Sequence, residues 1–142
     1  MPMTLRHLLL STLVFSASLA AQDFSQSAQP ALVFVTQSNC RFCVRLDRQV
    51  LSPLKASGLF NQGVTFVEVS LDAGEFVTDH DGLRVEGQAF AARYGAFGTP
   101  TLLFLDAQGV IQGEPWFGVP DALDFYGAKI EGAVANLKGL TN

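Results

Sequence analysis

The run Ala31-Leu32-Val33-Phe34-Val35 constrains this chain more than any other stretch. Five consecutive apolar residues, too few for a buried helix and bounded by Pro30 and by polar Gln37-Ser38-Asn39, read as a strand covered on both faces. Cys40-Arg41-Phe42-Cys43 comes next, and apolar positions at Cys43, Leu46, Val50 and Leu54 then recur at helical spacing. The chain has 2 cysteines, and both stand where this strand gives way to a helix. Two thiols at that spacing can close a disulfide and open it again, so the junction reads as a redox site.

The remaining pattern alternates. Ser52-Pro53 interrupts the first helix, or Ser52 caps a short second helix with Pro53 at its first position. Val64-Thr65-Phe66-Val67-Glu68-Val69 is a second strand by its β-branched content. Asp72 to Gly87 reads as a glycine- and acid-containing insertion, followed by a short helix over Gln88–Tyr94 with Gly95 as its stop. Thr101-Leu102-Leu103-Phe104-Leu105 is a third strand, and Asp106-Ala107-Gln108-Gly109 turns it into Val110-Ile111-Gln112 as a hairpin. Leu123, Tyr126, Ile130, Val134 and Leu137 mark a last amphipathic helix. The order βαβαββα predicts an α/β fold with one mixed four-stranded sheet and helices on both faces.

The N-terminus has the form of a secretory signal. Arg6 and His7 precede an apolar run, Leu8 to Phe15, and Ser18-Leu19-Ala20 fits the small-x-small cleavage rule. The expected organisation is a signal peptide over 1–20, a lead-in over 21–30 and one domain over 31–142. A retained membrane anchor is disfavoured, because the apolar run falls short of the ~20 residues that span a bilayer. Export would make the protein periplasmic or secreted, in an oxidising compartment where a reduced thiol pair needs an outside electron supply. The formal net charge of −4 argues against nucleic acid as a partner.

With Cys40-x-x-Cys43 after the first strand, Gly98-Thr99-Pro100-Thr101 before the third and Gly118 before the last helix, the chain resembles the thioredoxin superfamily. Within it, the chain is similar to exported thioredoxin-like proteins, including those associated with sulfur-oxidation systems. The resemblance implies thiol–disulfide exchange with protein cysteines or disulfides, supplied with electrons by a membrane donor. It also implies that Pro100 is cis beside the cysteines and that the Thr99 backbone pairs with an extended substrate segment. Two features depart from thioredoxins proper. Asn39, Arg41 and Phe42 replace the residues of Trp-Cys-Gly-Pro-Cys, and Phe34 stands where those proteins carry a buried acid.

Cys40, at the first turn of the helix, is the expected nucleophile, because unpaired N–H groups there favour a thiolate. Cys43, one turn further on the apolar side, is the expected resolving thiol. Arg41 would stabilise the thiolate, and with Arg45 and Arg48 it forms a basic stripe that otherwise is an ordinary solvated face. Phe42 and Phe97 would contact substrate, whereas Trp116 reads as core or hairpin cover. Other readings stay open. A structural disulfide closing so short a loop would contribute only roughly 2 kcal/mol in the loop-entropy treatment. Zinc normally needs four ligands, and His80 is the only histidine outside the signal. Cu(I) suits two thiolates better, but His80, in Thr78-Asp79-His80-Asp81-Gly82, reads as part of a solvated turn, and Asp79 and Asp81 as loop charges. No metal or cofactor is expected. The alternatives to a reductase are an oxidase, or a non-enzymatic Cu(I)-binding or peptide-binding adaptor.

Overall fold

A computed structural model describes residues 24, 29–61 and 63–140. The expected signal peptide, residues 1–20, and most of the expected lead-in lie outside the described residues. The chain order is β1 (Ala31–Thr36), α1 (Arg41–Leu46), α2 (Ser52–Ala56), β2 (Thr65–Ser70), β3 (Phe76–Thr78), β4 (Arg84–Glu86), α3 (Gly87–Arg93), β5 (Thr101–Leu105), β6 (Trp116–Phe117) and α4 (Leu123–Gly139). The four-stranded sheet runs β2-β1-β5-β6. β1 pairs parallel with β2 and antiparallel with β5. β6 closes the sheet antiparallel to β5.

β1 is apolar throughout because each face meets a core. Leu32 and Phe34 face Cys43, Leu46, Val50, Leu51 and Leu54, together with Ile130 and Val134 of α4. Val33 and Val35 point the other way, against Phe90 and Ala91 of α3. Helices thus cover both faces, as the element order predicts, and the fold is thioredoxin-like.

Three local expectations change. A short second helix does begin at Ser52 with Pro53 in its first turn, as the second reading has it, but Ser52 does not cap it and the chain is not broken there. A π-helical turn, Asp47–Leu51, joins α1 to α2, and the Ser52 N–H donates five residues back to the Asp47 carbonyl. The wider turn admits Pro53, whose ring would crowd the carbonyl four residues earlier in a regular helix. The expected strand Val110–Gln112 shrinks to one bridge, Leu105–Ile111. The Asp106 carboxylate accepts the N–H groups of Gln108 and Val110, forming a tight turn, and the chain leaves the sheet at Gly113 (φ 79°). The pairing strand is instead Trp116–Phe117.

The insertion is also more ordered than its composition implies. β3 and β4 form a hairpin within it. Asp79, expected to be a loop charge, is 1% exposed. Its carboxylate accepts the N–H groups of Asp81 and Leu83 and pairs with Arg93 of α3 at 2.8 Å. Burial opposes ionisation, yet Arg93 and the two N–H groups outweigh it and hold the carboxyl below the usual carboxylate range. Asp81 remains exposed, as expected. His80 lies in an exposed turn, as expected, with its ring resting against the Gly109 turn and edge-on to Phe24 at 6.2 Å.

Two outcomes are expected. A Cβ at Gly87 would overlap the Ser70 carbonyl oxygen, so Gly87→Ala should cost roughly 1–3 kcal/mol and lower Tm by several degrees; an unchanged Tm would contradict the packing. Arg93→Ala should destabilise by roughly 1.5–3 kcal/mol at neutral pH. Because the folded pKa of Asp79 is depressed, that contribution is complete above 3.8 and is lost as pH falls through the folded value. Chemical denaturation of the two proteins at pH 7 and at the acid limit should therefore show a gap that closes in acid.

Candidate redox site

β1 delivers the chain to the site in four residues. After Thr36, residues 37–39 are exposed, and Asn39 takes the left-handed conformation at φ 61°. Cys40 then returns to extended backbone (φ −89°, ψ 95°) and caps α1. Its sulfur accepts the Cys43 N–H at 3.1 Å, and its carbonyl accepts the Val44 N–H at 3.1 Å. One N–H group otherwise unpaired at the helix start is thereby aimed at sulfur.

Cys40 and Cys43 are joined as a disulfide, with Cα atoms 5.2 Å apart. Their surroundings differ. Cys43 is 3% exposed and packs in the core with Phe34 and Leu46, whereas Cys40 is half-exposed at its margin. A reagent from solvent therefore reaches Cys40 first.

The register of the central pair brings in Pro100. Val35 lies opposite Thr101, so the start of β5 sits at the end of β1 that leads to the cysteines. The Thr99–Pro100 peptide is cis. The Pro100 carbonyl accepts the Gly118 N–H at 2.8 Å, and the Thr101 hydroxyl donates to the Gly98 carbonyl at 2.8 Å. Phe97 is 81% exposed on this loop. Phe117 lies over Gly98, close enough that a Cβ there would meet its ring. Nothing in the sequence singles out Phe117 beyond its aromaticity; only the β5–β6 register, Thr101 opposite Phe117, shows where it falls. Trp116, by contrast, packs on Phe104 and Tyr126 as cover for the core.

Arg41 and Phe42 are both exposed, with the guanidinium 5.0 Å from the Phe42 ring centre. Phe34, where thioredoxins proper would carry an acid, is 2% exposed and packs toward Phe66. Glu68, its partner in register on β2, is exposed.

One contact at the site had no sequence signal. Asp72, just past β2, accepts both the N–H and the hydroxyl of Ser38 at 2.8 Å. The backbone bond from Ser38, then its hydroxyl, hold the Asp72 carboxyl below its ordinary value. A groove of about 550 Å³ lies alongside, lined by Gln37, Leu71, Gln88, Ala92 and Phe97 among others. His80 is not brought to the cysteines. It packs at Gly109, past the end of β5, and β5 runs away from the redox end. Among the described residues no three His, Cys, Asp or Glu side chains gather as metal ligands. No helix among them is long and apolar enough to cross a membrane.

Sequence comparison matches residues 18–120 to the thioredoxin-like domain. The chain belongs to that family. Its fold is similar to that of DsbH, an oxidoreductase, at 20% identity and TM-score 0.59, covering 93% of this chain and 95% of that one. It is also similar to a thioredoxin from Thermus thermophilus (26% identity, TM-score 0.54, 78% and 77% covered). A third likeness is to the oxidised C-terminal domain of DsbD from Neisseria meningitidis (20% identity, TM-score 0.53, 74% and 80% covered). A search of curated protein sequences found no match. Family membership together with a disulfide-forming Cys40-x-x-Cys43 pair makes this thioredoxin-like protein a thiol–disulfide oxidoreductase.

Proposed function

We propose that this thioredoxin-like protein is exported and reduces disulfides of protein substrates, with Cys40 as nucleophile and Cys43 as resolving thiol. The asymmetry of the pair carries the reading: Cys43 is buried, while Cys40 stands half-exposed at a helix start and accepts an N–H bond. In the reduced protein the Cys40 thiolate attacks one sulfur of a substrate disulfide, and the other substrate sulfur leaves as a thiolate. Cys43 then loses its proton and attacks the Cys40 sulfur. The second substrate thiol departs, and the Cys40–Cys43 disulfide remains with two electrons transferred. A dithiol donor at the membrane must supply the next two electrons.

Thr99 and Pro100 are proposed to hold the extended substrate segment, by family resemblance and by their position at the cysteine end of β5. Exposed Phe42 and Phe97 supply apolar contact to it. Export rests on the signal-like N-terminus, residues 1–20. The narrower likeness to sulfur-oxidation-associated thioredoxins rests on sequence pattern alone. Thr99 before the proline favours reduction; Arg41 beside Cys40, and Phe34 in place of an acid, favour an oxidising pair. Copper carriage loses its candidate third ligand, since His80 packs at the other end of β5.

The decisive experiment is a Cys43→Ser variant expressed in its own host. Stable mixed disulfides between Cys40 and exported proteins are expected; none, with Cys40 freely alkylated, would defeat the proposal. Direction is read from the reduction potential: about −270 mV fits a reductase, and about −120 mV would instead identify an oxidant. Arg41→Ala should raise the Cys40 thiolate pKa, measured by alkylation rate against pH. If it does not move, Arg41 has no part in activation.

A further inference from the structure

We infer that Asp72 is a positioning residue for Cys40, acting through Ser38. The inference rests on Cys40 being the attacking thiol. Both Asp72 oxygens are engaged. Oδ2 accepts the Ser38 N–H at 2.8 Å and the Ser70 hydroxyl at 3.0 Å, while Oδ1 accepts the Ser38 hydroxyl at 2.8 Å.

Asp72 is itself anchored from the sheet and from α3. Its N–H donates to the Ser70 hydroxyl at 3.1 Å, and its carbonyl accepts the Glu75 N–H at 3.2 Å. The preceding residue, Leu71, donates its N–H to the Thr36 carbonyl at 2.9 Å and accepts the Gln88 side-chain amide at 2.8 Å. The carboxylate is thus a fixed point.

The loop it holds is a surface turn at Ser38–Asn39. Residues 37–39 are exposed, so packing does not fix their path from β1 to α1. Asn39, between Ser38 and Cys40, takes a positive φ, which asparagine adopts more readily than other residues with a Cβ but still at a small cost. Two hydrogen bonds to a carboxylate, stronger than neutral ones, offset that cost. They set where Cys40 enters the helix, and therefore whether its sulfur meets the Cys43 N–H. Without them Asn39 can relax, and the sulfur loses the geometry that favours its thiolate. Asp72 acts by fixing the loop, not by touching the reacting atoms.

The test uses the full chain carrying Cys43→Ser, reacted with neutral 4,4′-dithiodipyridine across a pH series. The Cys40 thiolate attacks one probe sulfur, the probe disulfide breaks, and pyridinethione leaves, giving both the thiolate pKa and the limiting rate. Adding Asp72→Ala should slow the reaction at neutral pH by roughly ten-fold or more, as small misplacements of a reacting group do. Asp72→Asn, which keeps one carbonyl oxygen for Ser38, should fall between that variant and the parent. Asp79→Ala, in the same insertion, should lower Tm without changing the rate. A parental rate in Asp72→Ala, an equal loss in Asp79→Ala, or a rate above the parent in Asp72→Asn would overturn the inference. A Cys43→Ser protein that does not react at all removes the nucleophile assignment and this inference with it. A reactive one with an unchanged Asp72→Ala removes this inference alone.

Discussion

The antiparallel pairing of β1 with β5, with β2 parallel on the other side, is the constraint on which the rest of the molecule depends. Strand direction decides which loops meet. Antiparallel pairing puts the end of β1 beside the start of β5, so Cys40 and Pro100 share one edge of the sheet. Parallel pairing puts the end of β2 at that same edge, which is why Ser70 and Asp72 reach the loop before Cys40. The opposite edge receives the Gly109 turn and His80. These two pairings settle which residues belong to the redox site and which lie away from it.

The site shows how little dedicated machinery a thiol pair needs. A strand covered on both faces holds one end of the loop, and a helix start supplies N–H groups at the other. Burial then separates the roles of two chemically identical side chains. What the site lacks is equally physical. Phe34 fills with apolar volume the place where the resemblance puts the buried acid of thioredoxins proper, and Phe66 packs toward it. Nothing on β1 can take a proton from the buried thiol. The nearest carboxylate in register, Glu68, faces solvent. The Asp72 carboxylate works on the backbone ahead of Cys40 instead.

The β3–β4 insertion illustrates a second principle: polar residues can order a loop as firmly as an apolar core. Asp79 is buried because its charge is matched by Arg93 and two backbone N–H groups. Desolvation is compensated bond by bond, which leaves the hairpin docked on α3. The same residues, read one at a time along the chain, look like an acidic solvated turn. Charge in a sequence shows polarity; only partners show whether that polarity is spent inside or outside.

Much of this protein was legible before any coordinates. Five consecutive apolar residues required a strand with two covered faces, and the spacing of Cys43, Leu46, Val50 and Leu54 required a helix after it, because periodicity is a local property. The Cys40-x-x-Cys43 chemistry was likewise local. What the sequence could not carry were relations between residues far apart. Pro53 looked like a helix end or the start of a short second helix, and the π turn that joins the two has no periodic signal of its own. Val110–Gln112 looked like the pairing strand, but the chain leaves the sheet at Gly113 and Trp116–Phe117 takes the place beside β5. Ser38 and Asp72 stand 34 positions apart and meet only where β1 and β2 run parallel. By itself, then, the sequence determined the main core strands and helices and the Cys40-x-x-Cys43 pair, since both arise from neighbours in the chain. The tertiary structure decided which carboxylate steadies the loop and where His80 lies, since those depend on strand pairing and burial across the whole fold.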